Sequence, residues 1–403
     1  MDFRQLVAGL GLLVGVGLVG TAGYLATQKM SAGQGQQAEA LITTESIIAE
    51  QSQTELFKSA SKEDQEAALR IARAMGEIVE ESNAVPADLV PEACERDGET
   101  GKKIGHGCVI ASTTTVSVAA GQFNLLPAIA GHPKIKTIMI RNIKAPSLEV
   151  LASFPALEKL NIVQAKVDDI SVLPKLSGLT HLSFGFSGLS DIGFVRNMTE
   201  LTHLDISSSR VTDLSPLAGH TQLETLHVAN TQVTDLSPLA GLTGLRTLNA
   251  QETPVSDLTP LAAMTDMNQL SLFDTQVSDL SPLAGMTQLE RLYVDKTRVT
   301  DLSPLAGMTR MWYLDVDKNA ISDISPLAGM TNLRTLDLDH TQVSDLRPLA
   351  RMSRLNRLTL DDTPVRDLTP LAGLEQLSTL SLVGAQYADT SVLQGRDRLT
   401  IKQ

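Results

Sequence analysis

The sequence predicts an α/β solenoid preceded by a transmembrane helix and a helical stalk. Three observations lead there. The phrase DLSPLAG starts verbatim at Asp213, Asp235, Asp279 and Asp301, with close variants at Asp257, Asp323, Asp345 and Asp367, each step being 22 residues. Aromatic residues are only 3% of the 403, so the core is aliphatic and assembled from small units. The 21 residues from Leu6 to Ala26 carry no charged side chain. Lys and Arg total 33 against 46 Asp and Glu, a net charge of −13. That balance disfavours nucleic acid, whose phosphates need a basic face.

At about 1.5 Å per residue, residues 6–26 make a helix of roughly 31 Å, matching a hydrocarbon core of about 30 Å. The stretch is longer than the usual apolar core of a signal peptide, which favours an uncleaved anchor; cleavage after Ala22 is the alternative. Gly11 and Gly15 form a GxxxG pair, a spacing that also arises by chance among the glycines here. Arg4 before the span and Lys29 just after it leave the positive-inside bias weak. The rest of the chain is expected outside the cytoplasm, periplasmic or at the cell surface.

Residues 27–84 read as a stalk: a Gly/Gln linker at 31–37, then helices near 38–59 and 62–81. The second carries an apolar stripe of Ala68, Ile71, Ala72, Met75, Ile78 and Val79. A helical hairpin or an oligomeric stalk would bury it. Residues 85–124 read as an N-terminal cap of the repeats. It contains both cysteines, Cys94 and Cys108, expected to pair in an oxidising compartment; two unrelated buried thiols are the alternative. Within the cap, 113–119 reads as a degenerate strand with Val116 and Val118 inward.

Twelve 22-residue units fill 125–388, and a partial unit occupies 389–403. In the unit starting at Asp279, Leu292 and Val294 alternate as in a short strand, and Ser281-Pro282 fits an N-cap and first helical position, with Gly285 as the stop. Seven apolar side chains in each unit point one way. No unit can bury them alone, so neighbours must stack.

The run LxxLxLxxT followed by xVxDLSPLAG resembles the 22-residue class of leucine-rich repeat found in bacterial internalins, over about two thirds of the chain. The resemblance implies a horseshoe with a parallel β-sheet on its concave face and a role in holding partner proteins. The Asn that usually closes the strand is mostly Thr here (Thr231, Thr275, Thr297, Thr341), Asn319 excepted. No LPxTG-type sorting motif is present, so the anchor would be the N-terminal helix.

Partner-binding residues are expected on the outward strand positions. Asp295, Asp317, Asp339 and Asp361 align in one column, Asp315 and Asp337 in the next. Tyr293 and Tyr313 share that face, with Phe273 at its border and Trp312 beside it. Clustering of scarce aromatics fits an interface that docks a basic protein segment. Ca²⁺ held by the aspartates and a merely solvated acidic face are the alternatives. His181, His203, Asp205 and His227 form a second outward cluster, read as ordinary surface polarity and not as a metal site. Ser207, His203 and Asp205 alternate along one strand, about 7 Å apart, too far for a nucleophile and its base. His132 and His220 stand at usually apolar positions and read as packing histidines. No enzyme, cofactor or metal is expected. An envelope organiser with a self-associating stalk and a cytosol-facing scaffold are the competing functions.

Overall fold

The structure, a computed structural model, describes residues 92–104, 107–185, 188–387 and 389–403. The proposed anchor and stalk lie outside the described residues. Among the described residues no helix is long and apolar enough to cross a membrane.

Fourteen parallel strands form one sheet, running from Thr115–Val118 at one end to Thr400–Lys402 at the other. From His181 onward the strands are three residues long, and up to Ser381 successive partners are 22 residues apart, as in His203 with Thr225 and Leu292 with Leu314; the last joint, Thr379 with Thr400, is 21. The middle residue of each points inward, so Leu226, Leu248, Leu270, Leu292, Leu314 and Leu336 stack fully buried. The flanking residues are half-buried on the open face. A strand this short cannot fold alone; the shared aliphatic column supplies the stability. Near the N-terminal end, Lys144–Ser147 and Lys166–Asp169 make a separate two-stranded parallel sheet.

The helical stretches are single 3₁₀ turns such as Ser281–Leu283. Here the structure corrects two details. Ser281 does not cap the turn through its side chain. Instead Asp279 Oδ1 accepts its backbone N–H at 2.8 Å, and the Ser281 hydroxyl donates to Oδ2 at 2.8 Å. Asp213, Asp235, Asp257, Asp301, Asp323, Asp345 and Asp367 accept the same backbone bond at 2.7–2.9 Å. The first letter of DLSPLAG is therefore the cap, closing an Asx turn. Nor does Gly285 stop the turn through a left-handed backbone. Gly219 alone of the DLSPLAG glycines has positive φ; among non-glycine residues, Asp97 aside, positive φ is confined to a column after the strand: Asn142, Gln164, Ser208, Asn230, Glu252, Asp274, Lys296, Lys318, His340 and Asp362, with φ of 50–55°.

The Thr after that column donates its hydroxyl to the carbonyl three residues back, as Thr231 to Val228 and Thr275 to Leu272 at 2.6 and 2.7 Å. Asn319 does more. Its amide donates to Val316 and, across the repeat boundary, to Val294, while Oδ1 accepts the Thr297 N–H at 3.0 Å.

At the N-terminal end, Ala93–Arg96, Glu99–Ile104 and Gly107–Val109 form a small antiparallel sheet. A disulfide joins Cys94 to Cys108, tying its first strand to its third. Gly101 is needed there: a Cβ would lie 2.3 Å from the Val109 carbonyl oxygen. Ile104 and Val109 carry the cap into the common core. The main sheet itself begins inside residues 85–124, where Val116 and Val118 are buried against Ile138 and Ile140. At the far end Leu399 and Ile401 close the core half-buried.

Candidate functional site

The open face of the strands between Phe273 and Asp361 gathers the residues singled out above. Tyr293 and Tyr313 stand on adjacent strands with ring centroids 4.7 Å apart, and Trp312 meets Tyr313 edge-on at 6.1 Å. Arg291 lies over the Trp312 ring at 4.5 Å, and Lys296 over Phe273 at 5.7 Å. The Trp312 indole N–H donates to Glu290 Oε2 at 3.3 Å. These rings are half-buried, and Arg291 and Lys296 cover one face each of Trp312 and Phe273.

The aspartates fall into two columns. Asp315 and Asp337 are direct strand neighbours. Asp295, Asp317, Asp339 and Asp361 follow, as the backbone bonds from Lys296 to Asp317 and from Lys318 to Asp339 show. Much of this acid also serves the backbone. Asp315 Oδ1 and Asp337 Oδ1 each accept the N–H two residues on at 3.2 Å. Asp339 accepts the Asp361 N–H at 2.6 Å, and Asp361 accepts the Val383 N–H at 2.8 Å. One oxygen of each of these four carboxylates is thus committed to the fold. Asp317 pairs through Oδ2 with Lys318 at 2.5 Å; its Oδ1 is buried without a hydrogen-bond donor, 3.6 Å from His340 Nδ1. His340 reaches Asp362 at 3.2 Å.

Burial, then the neighbouring Asp295 and Asp337 charges, pushes Asp315 up to about 7. Burial likewise raises Asp295 and Asp339 to about 6, against neighbouring backbone N–H groups that oppose it. Burial, followed by Asp315, drives the Tyr313 phenol upward as well. Of the six carboxylates in the two columns, only Asp317 forms an ion pair among the described residues.

The second cluster is organised differently. His181 and His203 stack at 4.1 Å with an 8° interplanar angle, each Nδ1 facing a Thr hydroxyl at 2.9 Å. Burial lowers both imidazoles, and Lys159, 3.4 Å from His181 Nε2, adds to that. Asp205 is occupied by the Ser183 hydroxyl and the Ser207 N–H. Among the described residues no group of three or more His, Cys, Asp or Glu could hold a metal ion. His220 is buried, its two nitrogens 3.1 and 3.0 Å from the Leu217 and Val195 carbonyls, and His132 Nε2 lies 2.9 Å from the Ile110 carbonyl.

Sequence reasoning missed one feature of this face. A cleft of about 460 Å³ opens beside Trp312, lined also by Arg334, Thr335, Arg354, Asn356 and Gln376. The signal was present: in units of constant period, residues 312, 334 and 356 must align, as must 332, 354 and 376.

Comparison with known proteins agrees with this architecture. The family model described as two-copy leucine-rich repeats matches residues 221–263 and 313–351. An internalin, InlF, of Listeria monocytogenes is similar at 29% identity, with 74% of this chain and 89% of that one covered and a TM-score of 0.66. InlJ of the same organism shares the fold at 20% identity and a TM-score of 0.52, over 71% of this chain and 72% of that one. The plant peptide hormone receptor RGFR1, solved in complex with RGF2, shares it at 15% identity and a TM-score of 0.60, over 76% and 54%. No curated protein matches the chain. The chain is a leucine-rich repeat protein of the bacterial, internalin-like 22-residue class.

Proposed function

We propose that this chain is a non-enzymatic protein-binding module that docks a basic protein segment on the concave face of its repeats, between Phe273 and Asp361. The carrying observation is the under-neutralised carboxylate ladder beside the Tyr293, Tyr313 and Trp312 cluster. A cationic segment would relieve the repulsion between Asp315 and Asp337, and its apolar stems would cover the aromatic faces. Backbone use of one oxygen holds these carboxylates in place, and the other oxygen faces a ligand except at Asp315, where it accepts the Tyr313 hydroxyl. Rigid aromatics and fixed charges lose little freedom on binding.

Residues 6–26 are the membrane anchor in this reading and 27–84 the stalk, with the repeats outside the cytoplasm. The Cys94–Cys108 disulfide supports that side, because such a bond persists in an oxidising compartment. Alkaline extraction of membranes tests the anchor: the full chain should stay with the lipid pellet and a chain lacking residues 6–26 should not.

A photo-crosslinking residue placed at Tyr313 tests the docking surface in cells. It should capture a protein whose yield falls severalfold with Asp317→Asn plus Asp339→Asn. Equal capture by that variant, or equal capture from Thr225 on a distant strand, would reject this surface.

A further inference from the structure

The acidic patch has a cationic counterpart across the same strands. Asp295, Asp317 and Asp339 stand where the chain leaves the sheet, whereas Trp312 and Arg334 stand where it enters, immediately before the strands Tyr313–Asp315 and Thr335–Asp337. Among the described residues neither Arg334 nor Arg354 forms an ion pair. Arg354 donates only to the neutral Asn332 Oδ1 at 2.7 Å, and no hydrogen bond holds the Arg334 guanidinium. Both line the cleft beside Trp312, and its remaining lining residues, Thr335, Asn356 and Gln376, are neutral. The cleft therefore presents two unpaired guanidinium groups and an aromatic wall, and no carboxylate lines it. In a chain with a net charge of −13, two arginines without an ion pair lining one cleft are a specific arrangement; Glu290, which accepts the Trp312 indole N–H, is not among the lining residues.

We propose that this cleft is a carboxylate subsite taking an Asp or Glu side chain of the segment that docks on the aspartate ladder. The inference rests on the docking reading and sharpens it: the partner segment carries both signs of charge. A guanidinium fork donates two parallel N–H bonds to a carboxylate, and the Trp312 ring lies beside the side-chain stem. From Arg334 to Asp339 is five residues, about 16 Å along an extended chain. An extended segment lying along the strand direction therefore places its acid and its base about five residues apart. The assignment is to a side chain and not to a chain terminus; a peptide with a free C-terminus separates the two.

The test uses the full chain and Gly/Ser peptides, acetylated and amidated except for one Lys peptide left with a free C-terminus. One bears two Lys, one two Glu, and one both pairs five residues apart, in either order. Trp312 is the only tryptophan, so its fluorescence reports on the cleft, with calorimetry for affinity. The mixed peptide in one order should bind three- to tenfold tighter than the Lys peptide. Arg334→Gln plus Arg354→Gln should remove that gain and leave the Lys peptide unchanged. Equal binding of the mixed and Lys peptides overturns the subsite and leaves the docking reading standing. A double variant that weakens both peptides equally also overturns it. If the Glu peptide alone binds, dependent on the arginines, the subsite stands and the docking reading fails. Silence from every peptide overturns both. A gain from a free C-terminus and none from Glu overturns the assignment to a side chain.

Discussion

Asp315 is held in an environment that opposes its charge, with Asp337 on the next strand and half-burial on the open face. Its folded-state pKa lies above the unfolded value, so the ionised group destabilises the fold, and this effect is complete only above about pH 7. As the pH falls toward 4 the folded state takes up the proton first and the destabilisation is relieved. Asp315→Asn keeps the oxygen that accepts the Asp317 N–H. It should stabilise the protein at pH 7.5 by about 1–2 kcal/mol after allowance for solvent screening, and by almost nothing at pH 4.5. Urea titrations at the two pH values check this. Asn319→Thr restores the residue usual in this array and loses the bonds to Val294 and Thr297 across the repeat boundary. A cost of about 1–2 kcal/mol is expected, read as a lower denaturation midpoint.

The Asx turn is the repeated device at the scale of the element. Asp279→Ala leaves the Ser281 N–H without its acceptor and should cost about 1 kcal/mol, whereas Asp279→Asn should recover most of it. The backbone N–H of Ser215 and of Ser303, then their hydroxyls, hold Asp213 and Asp301 below the ordinary carboxylate value. The Ser237 and Thr259 hydroxyls lead the same effect at Asp235 and Asp257. Stabilisation from such groups is present above the unfolded pKa near 4 and disappears as the pH falls through the lower folded values. The strand, its inward Leu and the short turn were legible in the sequence, because a 22-residue period exposes them. The capping role of Asp was not, since Ser before Pro carries an equally good N-cap signature. The left-handed column was hidden for another reason: its occupants range over Asn, Gln, Ser, Glu, Asp, Lys and His, and no common side chain advertises the backbone. Of the candidate site, the columns followed from counting alone. The division of each carboxylate between backbone and solvent, and the arginine cleft, needed side-chain directions that spacing does not contain.

At the scale of the whole molecule the two kinds of carboxylate pull stability in opposite directions with pH. Asp295, Asp315 and Asp339 favour the fold as the pH falls from about 7 toward 4, and the turn-capping aspartates disfavour it below about 4. The melting temperature should therefore pass through a maximum near pH 4, where the two windows meet, measurable by calorimetry; a monotonic rise from pH 4 to 8 would contradict this balance. The basic Lys peptide should bind more weakly at pH 5.5 than at 7.5 as the ladder loses charge. Added salt should weaken it at both. Because the core is one continuous column, Leu292→Ala in the middle of the array should cost about 2–5 kcal/mol, and the damage should spread to adjoining units.

Every joint between His181 and Ser381 repeats the same offset of 22 between facing residues. Excising one whole turn of the coil, such as 235–256, would bring together two surfaces that already match. A single register-preserving deletion or duplication could thus shorten or lengthen the molecule without a new interface having to evolve. The reach of this protein is a copy number, adjustable in steps of one strand spacing, while the chemistry at either end stays as it was.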